Sequence, residues 1–215
     1  MGISDRKQRE KEERRRQIMN AAQTTFLAKG FSGTTVEDIA GHAELSPSTI
    51  YLYFKNKEEL YGSLSLQGLG FLLKELEGIN DVPDARPEAK LAALKESLQN
   101  LYKSNPLLLL SVFHFQTSEI MKDLSDNLVA EIKKYSTLAI RHITKFINYG
   151  INQGKFKPVN PTAVADIVWS MFSGLLIWEE SKRALDSEKQ YFEKTFDLAF
   201  DLLCYGLIKE NQRKS

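Results

Sequence analysis

The chain has one cysteine, Cys204, and only three histidines, His42, His114 and His142, in 215 residues. A lone cysteine excludes an internal disulfide and agrees with a reducing cytoplasm. The histidines are far apart and lack the two-on-a-helix spacing of a zinc site, so no metal and no cofactor is expected. There is no Gly-rich phosphate loop and no Gly-x-Ser-x-Gly elbow. No acid, base and nucleophile cluster together, so an enzyme is not expected. No apolar run approaches the length of a membrane span, and the charged N-terminus lacks the apolar centre of a signal peptide. Arg6 stands where a myristoylation signal needs Ser or Thr. Net charge is also nearly absent, at +1.

What is present is a dense series of helix starts between Thr34 and Leu60. Thr34 with Glu37 three residues later reads as a capping box. Ser46 before Pro47 is an N-cap with proline at the first helical position. Asn56 with Glu59 repeats the capping pattern. Two short helices joined by so tight a turn form a helix-turn-helix, whose second helix presents its first turn to base edges in a major groove.

The apolar residues around this segment fit one small core. Ile18, Ala22 and Phe26 recur at i, i+4, i+8 on a preceding helix that Gly30 should end. Val36, Ile39, Ala40 and Ala43 line the second helix. Ile50 and Phe54 come from the third helix and Leu60 from the fourth. The residues left for the outside are short and hydroxyl-rich, which suits close approach to DNA. Thr35 and Ser46 are assigned to neighbouring backbone, Pro47, Ser48 and Thr49 to base edges, and Tyr51, Tyr53 and Lys57 to phosphates. Residues 1–16 hold seven basic against four acidic side chains. They read as a solvated helix end with i,i+4 ion pairs, as a flexible arm touching phosphates, or as both.

Ile18-Met19-Asn20-Ala21-Ala22, Phe26, Gly30-Phe31, Thr34-Thr35-Val36, Ile39-Ala40, Leu45-Ser46, Thr49-Ile50-Tyr51, Phe54 and Lys57-Glu58-Glu59-Leu60 together resemble the tetracycline-repressor (TetR) family. The resemblance spans roughly residues 10 to 62 and runs without a gap. Three positions depart from it. Glu44 stands at the turn where the family usually has glycine, and implies left-handed strain. Ser48 replaces a common glycine at the start of the recognition helix. Tyr53 replaces a frequent histidine.

Beyond residue 60 there is no β pattern and no repeat. Helices are expected from Asn56 to about Glu77, from Pro87 to about Lys103, and from Asn105-Pro106. A long one follows from about Ser118 to Gln153, with a break near Asp126. The last two run from Asn160-Pro161 to Ser181 and from Ser187 to near Lys209. This is an all-α chain of about nine helices. Residues 1–55 form a DNA-binding domain and 56–215 an effector-binding and dimerisation domain.

The Pro161–Trp178 segment is apolar over much of its surface, with small residues at Ser170, Ser173 and Gly174, so it must be covered on more than one side. Ile167, Ser170, Gly174, Phe192, Phe196 and Leu203 are the expected dimer contacts, from two helices of each copy. The family resemblance implies the same four-helix interface. Gln67, Phe71, Leu98, Tyr102, Phe113, His114, His142, Trp169 and Phe172 are the candidate walls and polar groups of an effector pocket. For His114 and His142 the bland alternative is a boundary histidine bonded to a neighbour; for each aromatic it is ordinary core.

The resulting expectation is a cytoplasmic homodimer that represses transcription from a double-stranded operator and is released by a small, mostly apolar molecule. The alternative is a DNA-binding protein of the same fold controlled by a protein partner or by no effector.

Overall fold

The computed structural model describes residues 3–82, 84–104, 106, 109–110, 119–185 and 191–209. Eight α-helices and one 3-10 turn occur among them, in agreement with the all-α expectation. These are α1 (Ile3–Lys29), α2 (Val36–His42), α3 (Pro47–Tyr51), α4 (Lys57–Asp81), α5 (Pro87–Ser104), a 3-10 turn (Glu119–Asp123), α6 (Asp126–Asn152), α7 (Pro161–Leu185) and α8 (Phe192–Leu207).

The first three helices and the start of α4 close one small core. Ile18, Ala22, Phe26, Ile39, Ala40, Ile50, Phe54 and Leu60 are all buried in it, as the sequence pattern requires. Tyr61 joins them, its ring edge-on to Phe26 at 5.1 Å and tilted against Phe31 at 4.9 Å. The core therefore extends into α4, and the expected boundary at residue 55 falls just outside a helix that serves both halves.

The start of α2 is one residue later than the sequence suggests. Thr34 is buried, and its hydroxyl donates to the Gly30 carbonyl at 2.7 Å. Thr35 is the N-cap instead. Its Oγ1 accepts from Asp38 N at 3.1 Å, and Asp38 Oδ2 accepts from Thr35 N at 3.0 Å. Two adjacent threonines each face an acid three residues on, and burial decides between them.

Helix α4 continues through Gly62, Gly68 and Gly70 to Asp81, beyond the expected Glu77. Lys90 accounts for the extension. Its Nζ donates to the carbonyls of Ile79 at 2.7 Å, Asn80 at 3.4 Å and Val82 at 3.0 Å, satisfying orphan acceptors at the helix end. The break near Asp126 is real, between the 3-10 turn and α6. Gly154, at φ +70, follows the end of α6. The expected cap at Ser187 lies outside the described residues.

Helix α4 packs on α5 and α6, α6 on α7, and α7 on α8. Two further ties hold the far end. Lys157 N donates to Leu207 O at 2.9 Å and Lys209 N to Lys155 O at 3.1 Å, around an antiparallel bridge between Phe156 and Ile208. The Phe156 ring packs against Gly150 of α6, where a Cβ would collide with it.

One sequence expectation is corrected here. Pro161–Lys182 is 22 residues long and holds an 18-residue window of mean hydropathy 1.3, enough to match a membrane span by length and composition. In the fold this helix supplies Val168, Phe172 and Leu176 to the interior. It also carries a buried carboxylate, Glu179, which accepts from Tyr191 N at 2.8 Å and from Lys182 Nζ at 2.5 Å. Burial pushes the Glu179 carboxyl up, but Lys182 and the backbone N–H groups outweigh it and leave it below the usual range.

Candidate nucleic-acid interface

The turn between α2 and α3 is made by Ala43, Glu44 and Leu45. Glu44 has φ +54, the left-handed conformation expected where glycine was missing. Leu45 N closes the turn on Ala40 O at 2.9 Å. Helix α3 then starts at Ser46, whose Oγ accepts from Thr49 N at 3.2 Å, with Pro47 at the first helical position. Ser46 Oγ also lies 2.8 Å from Ser48 Oγ and 2.9 Å from Thr49 Oγ1. The result is a cluster of three hydroxyls, each able to donate or accept.

Ile50 within this short helix and Phe54, which lies just past its end rather than in it as expected, anchor it in the core and fix what it presents outward. Ser46 and Ser48 are exposed, as are Tyr51 and Leu52, the latter at 80%. Pro47, Thr49 and Tyr53 are half-buried, and Tyr53 packs partly against the core. Leu52 was not among the sequence-assigned contacts, although its place between inward Ile50 and Phe54 points it out. Lys55 is exposed just ahead of α4 and was also missed.

Lys57 differs from its expected role. Its Nζ donates to Phe31 O at 3.1 Å and Thr34 O at 3.0 Å and sits 4.6 Å above the Phe31 ring. Two of its three donors therefore hold the α1–α2 connection, and one remains for a phosphate. Lys29 Nζ reaches Asp38 Oδ1 at 2.7 Å. That bond, with the Thr35 N–H, draws the Asp38 carboxyl down to about 2.

The basic N-terminal run is helical and exposed, with Arg6 bonded to Glu10 at 2.7 Å, Gln8 to Glu12 at 2.7 Å and Arg16 to Glu13. The ion-paired helix end is therefore present, and the phosphate-arm reading is compatible with it. Arg15 was not singled out by sequence, and it behaves differently. Its Nη2 donates to Ser63 Oγ on α4 at 3.1 Å, and its guanidinium lies 4.6 Å over the Phe54 ring.

The geometry has counterparts. The sequence model of bacterial regulatory proteins of the tetR family matches residues 18–64. Over this segment the chain matches the TetR family. The HTH-type transcriptional regulator YfiR of Bacillus subtilis (strain 168) is 25% identical over 77% of this chain and 80% of its own. Among solved structures, the TetR family regulator PfmR from Thermus thermophilus superposes with a TM-score of 0.72 at 23% identity, over 89% of this chain and 99% of that one. The regulator FadR from Bacillus subtilis, solved with stearoyl-CoA, gives 0.66 at 22% identity, over 88% and 97%. These two share the fold. The matched segment and the relatives are those of transcriptional regulators, not of enzymes.

In this TetR-family fold the expected dimer residues divide. Ile167 (53% exposed), Ser170 and Gly174 lie on the open face of α7 together with Ile177 and Trp178. Leu203 is half-buried. Phe192 and Phe196 are corrected: they are 3% and 0% exposed, stacked on each other at 5.5 Å and packed on Phe172. They are spent inside the protomer. The open stripe of α8 is Leu198, Leu202 and Tyr205, 62–64% exposed.

The expected effector residues scatter as well. Leu98 and Phe172 are closed into the core, and Tyr102 lies 4.0 Å from the Phe192 ring. Trp169 is half-buried against the core. His142 takes the bland reading: Asn80 Nδ2 lies 3.2 Å from its Nδ1 and donates to its carbonyl at 3.2 Å. Phe113 and His114 lie outside the described residues. Gln67 and Phe71 are exposed and share an open groove between α1, α4 and α6. Among the described residues, buried Leu98 and Phe172 do not line that groove, because helical spacing fixes which face a residue takes but not which helix lies opposite.

Proposed function

We propose that this regulator is a cytoplasmic homodimeric repressor that binds an inverted-repeat operator and leaves it when a small molecule binds. Residues 1–55, with Lys57 at the start of α4, carry the DNA contacts, and 56–215 hold the effector and dimer surfaces. The observation that carries the reading is the outward set of α3. Ser48, Tyr51 and Leu52 stand free of the core beside half-buried Pro47 and Thr49, on a helix pinned by Ile50 and Phe54. Hydroxyls offer flexible hydrogen bonds to base edges, and Pro47 and Leu52 offer apolar contact such as a thymine methyl. Tyr51, Tyr53, Lys55 and the third donor of Lys57 serve phosphates, with Thr35 and Ser46 holding the adjoining backbone.

A single five-residue helix reads few base pairs, so two copies are needed for a selective operator. The uncovered apolar face of Ile167, Trp178, Leu198, Leu202 and Tyr205 supports dimerisation through α7 and α8. None of these five side chains is charged, which fits the apolar centre of a permanent interface.

Helix α4 supports coupling. Its first turn belongs to the DNA-binding core, yet Asn56 Nδ2 donates to Asp123 O at 3.3 Å and Glu59 Oε1 accepts from Ser125 N at 2.5 Å. A ligand that prefers another seating of the 3-10 turn and α6 shifts α4, and with it the spacing of the two α3 helices. The apolar character of the domain favours an effector with an apolar body; the structural neighbour FadR was solved with stearoyl-CoA, which joins an apolar acyl chain to a charged coenzyme A. The alternative, control by a protein partner or by none, is favoured by the closed packing around Leu98 and Phe172. A compound panel scored for melting shift and for DNA release separates the two: hits in both measurements support the small molecule, and no hit in either supports the alternative.

A further inference from the structure

Helix α1 lies across the side of α4, and α6 lies beyond. The three leave an open groove of about 590 Å³, within the general range of ~300–1,000 Å³ for small-molecule sites. Its floor is apolar. Leu66, Met19 and Tyr135 are half-buried there, and Phe71 is 47% exposed. Gly70 keeps the floor low: a Cβ added at this position would meet only the Tyr135 ring, at 3.7 Å.

The rim is basic. Arg15, Arg16 and Lys74 line it, against one carboxylate, Glu12. Glu12 already accepts from Gln8, and Lys74 has no acidic partner among the described residues. Arg15 is the most constrained of the three. Burial pushes its pKa down, and the Glu59 charge only partly restores it. An anion arriving beside this half-buried guanidinium gains a charge-assisted partner that water does not fully replace.

We propose that the groove binds an amphipathic monoanion, its apolar body on Phe71, Leu66 and Tyr135 and its carboxylate between Arg15 and Lys74. This rests on the effector-controlled reading above and amends it: the effector is apolar in body but carries one negative charge. The site also has the right position. Arg15 belongs to the DNA-binding core and bonds Ser63 of α4, so an occupant touches both sides of the joint.

Sodium decanoate, below its micellar concentration, is the probe, with decanol as its neutral counterpart. Binding to the full-length chain is followed by calorimetry. Two variants act on different parts of the groove. Gly70→Met fills the floor while removing a helix glycine, so folding is retained. Lys74→Glu reverses the rim charge at an exposed position. Decanoate is expected to bind one per chain and to lose at least tenfold in affinity in both variants. Decanol is expected to bind more weakly than decanoate and to be affected by Gly70→Met alone. Unchanged decanoate affinity in both variants, no binding to the unmodified protein, or equal affinity for decanol overturns the proposal. Operator affinity is measured in parallel: decanoate that binds as described yet leaves DNA affinity unchanged supports the groove and counts against release through it.

Discussion

Lys57 Nζ lies 3.1 Å from the carbonyl oxygen of Phe31 and 4.6 Å from the centre of the Phe31 ring. The ammonium thus fastens the start of α4 to the connection between α1 and α2. Lys57→Ala should cost about 1–3 kcal/mol of stability, since two carbonyls lose a charged donor. It should also weaken binding to every DNA sequence alike. Melting scans and salt titrations check this. A variant with unchanged melting temperature and altered sequence preference would contradict both roles.

Gly150 makes a separate stability prediction. A methyl group there runs into the Phe156 ring, which is 1% exposed and held by the Phe156–Ile208 bridge. Gly150→Ala should lower stability by about 1–3 kcal/mol as an overpacked contact, despite its better helix propensity. Adding Phe156→Leu should recover part of the loss, and chemical denaturation of the three proteins measures it. A more stable Gly150→Ala protein would show that the contact relaxes freely.

The dimer surface is tested by two substitutions with opposite expected outcomes. Leu202→Glu, on the open stripe of α8, should give folded monomers, because a charge is placed in an apolar contact. Phe196→Glu should lose folded structure altogether, because that ring is fully buried in the protomer. Sedimentation and circular dichroism distinguish the cases. An intact dimer in Leu202→Glu would move the interface off α8.

Acid should loosen the DNA-binding half through Asp38. Its carboxyl is held at about 2 by Lys29 and Thr35, below its ordinary 3.8. The stabilisation is fully present above pH 3.8 and disappears as pH falls through about 2. The stability difference between the native chain and Asp38→Asn should therefore shrink over that window. A difference that stays constant with pH would assign the effect to something other than the charge.

The local features of the DNA-binding half were legible in sequence because they act over three or four residues. Ser46, Pro47 and Asn56 mark their helix starts by bonds to residues close along the chain. Glu44 shows its left-handed φ by standing in a turn that otherwise asks for glycine. Thr35 was displaced to Thr34 because both threonines satisfy the same local rule, and only burial tells them apart. Longer-range partners were not legible. The stripe of Phe192 and Phe196 announces burial, but periodicity does not say whether the cover is the same protomer or a second one. Arg15 reads as part of a basic run, Lys57 as a phosphate contact, and nothing in the sequence marks Lys90. Each reaches across to a hydroxyl, a carbonyl or a ring that sequence spacing does not place beside it.

The central claim is selective DNA binding by a dimer that uses α3. It is tested most directly by incubating the full-length protein with a random-sequence duplex library and sequencing the bound fraction. An enriched inverted repeat is the expected result, with half-site centres a whole number of helical turns apart, and with enrichment lost in Tyr51→Ala and in the monomeric Leu202→Glu. Recovery of no enriched sequence, or enrichment that survives unchanged in both variants, would contradict it.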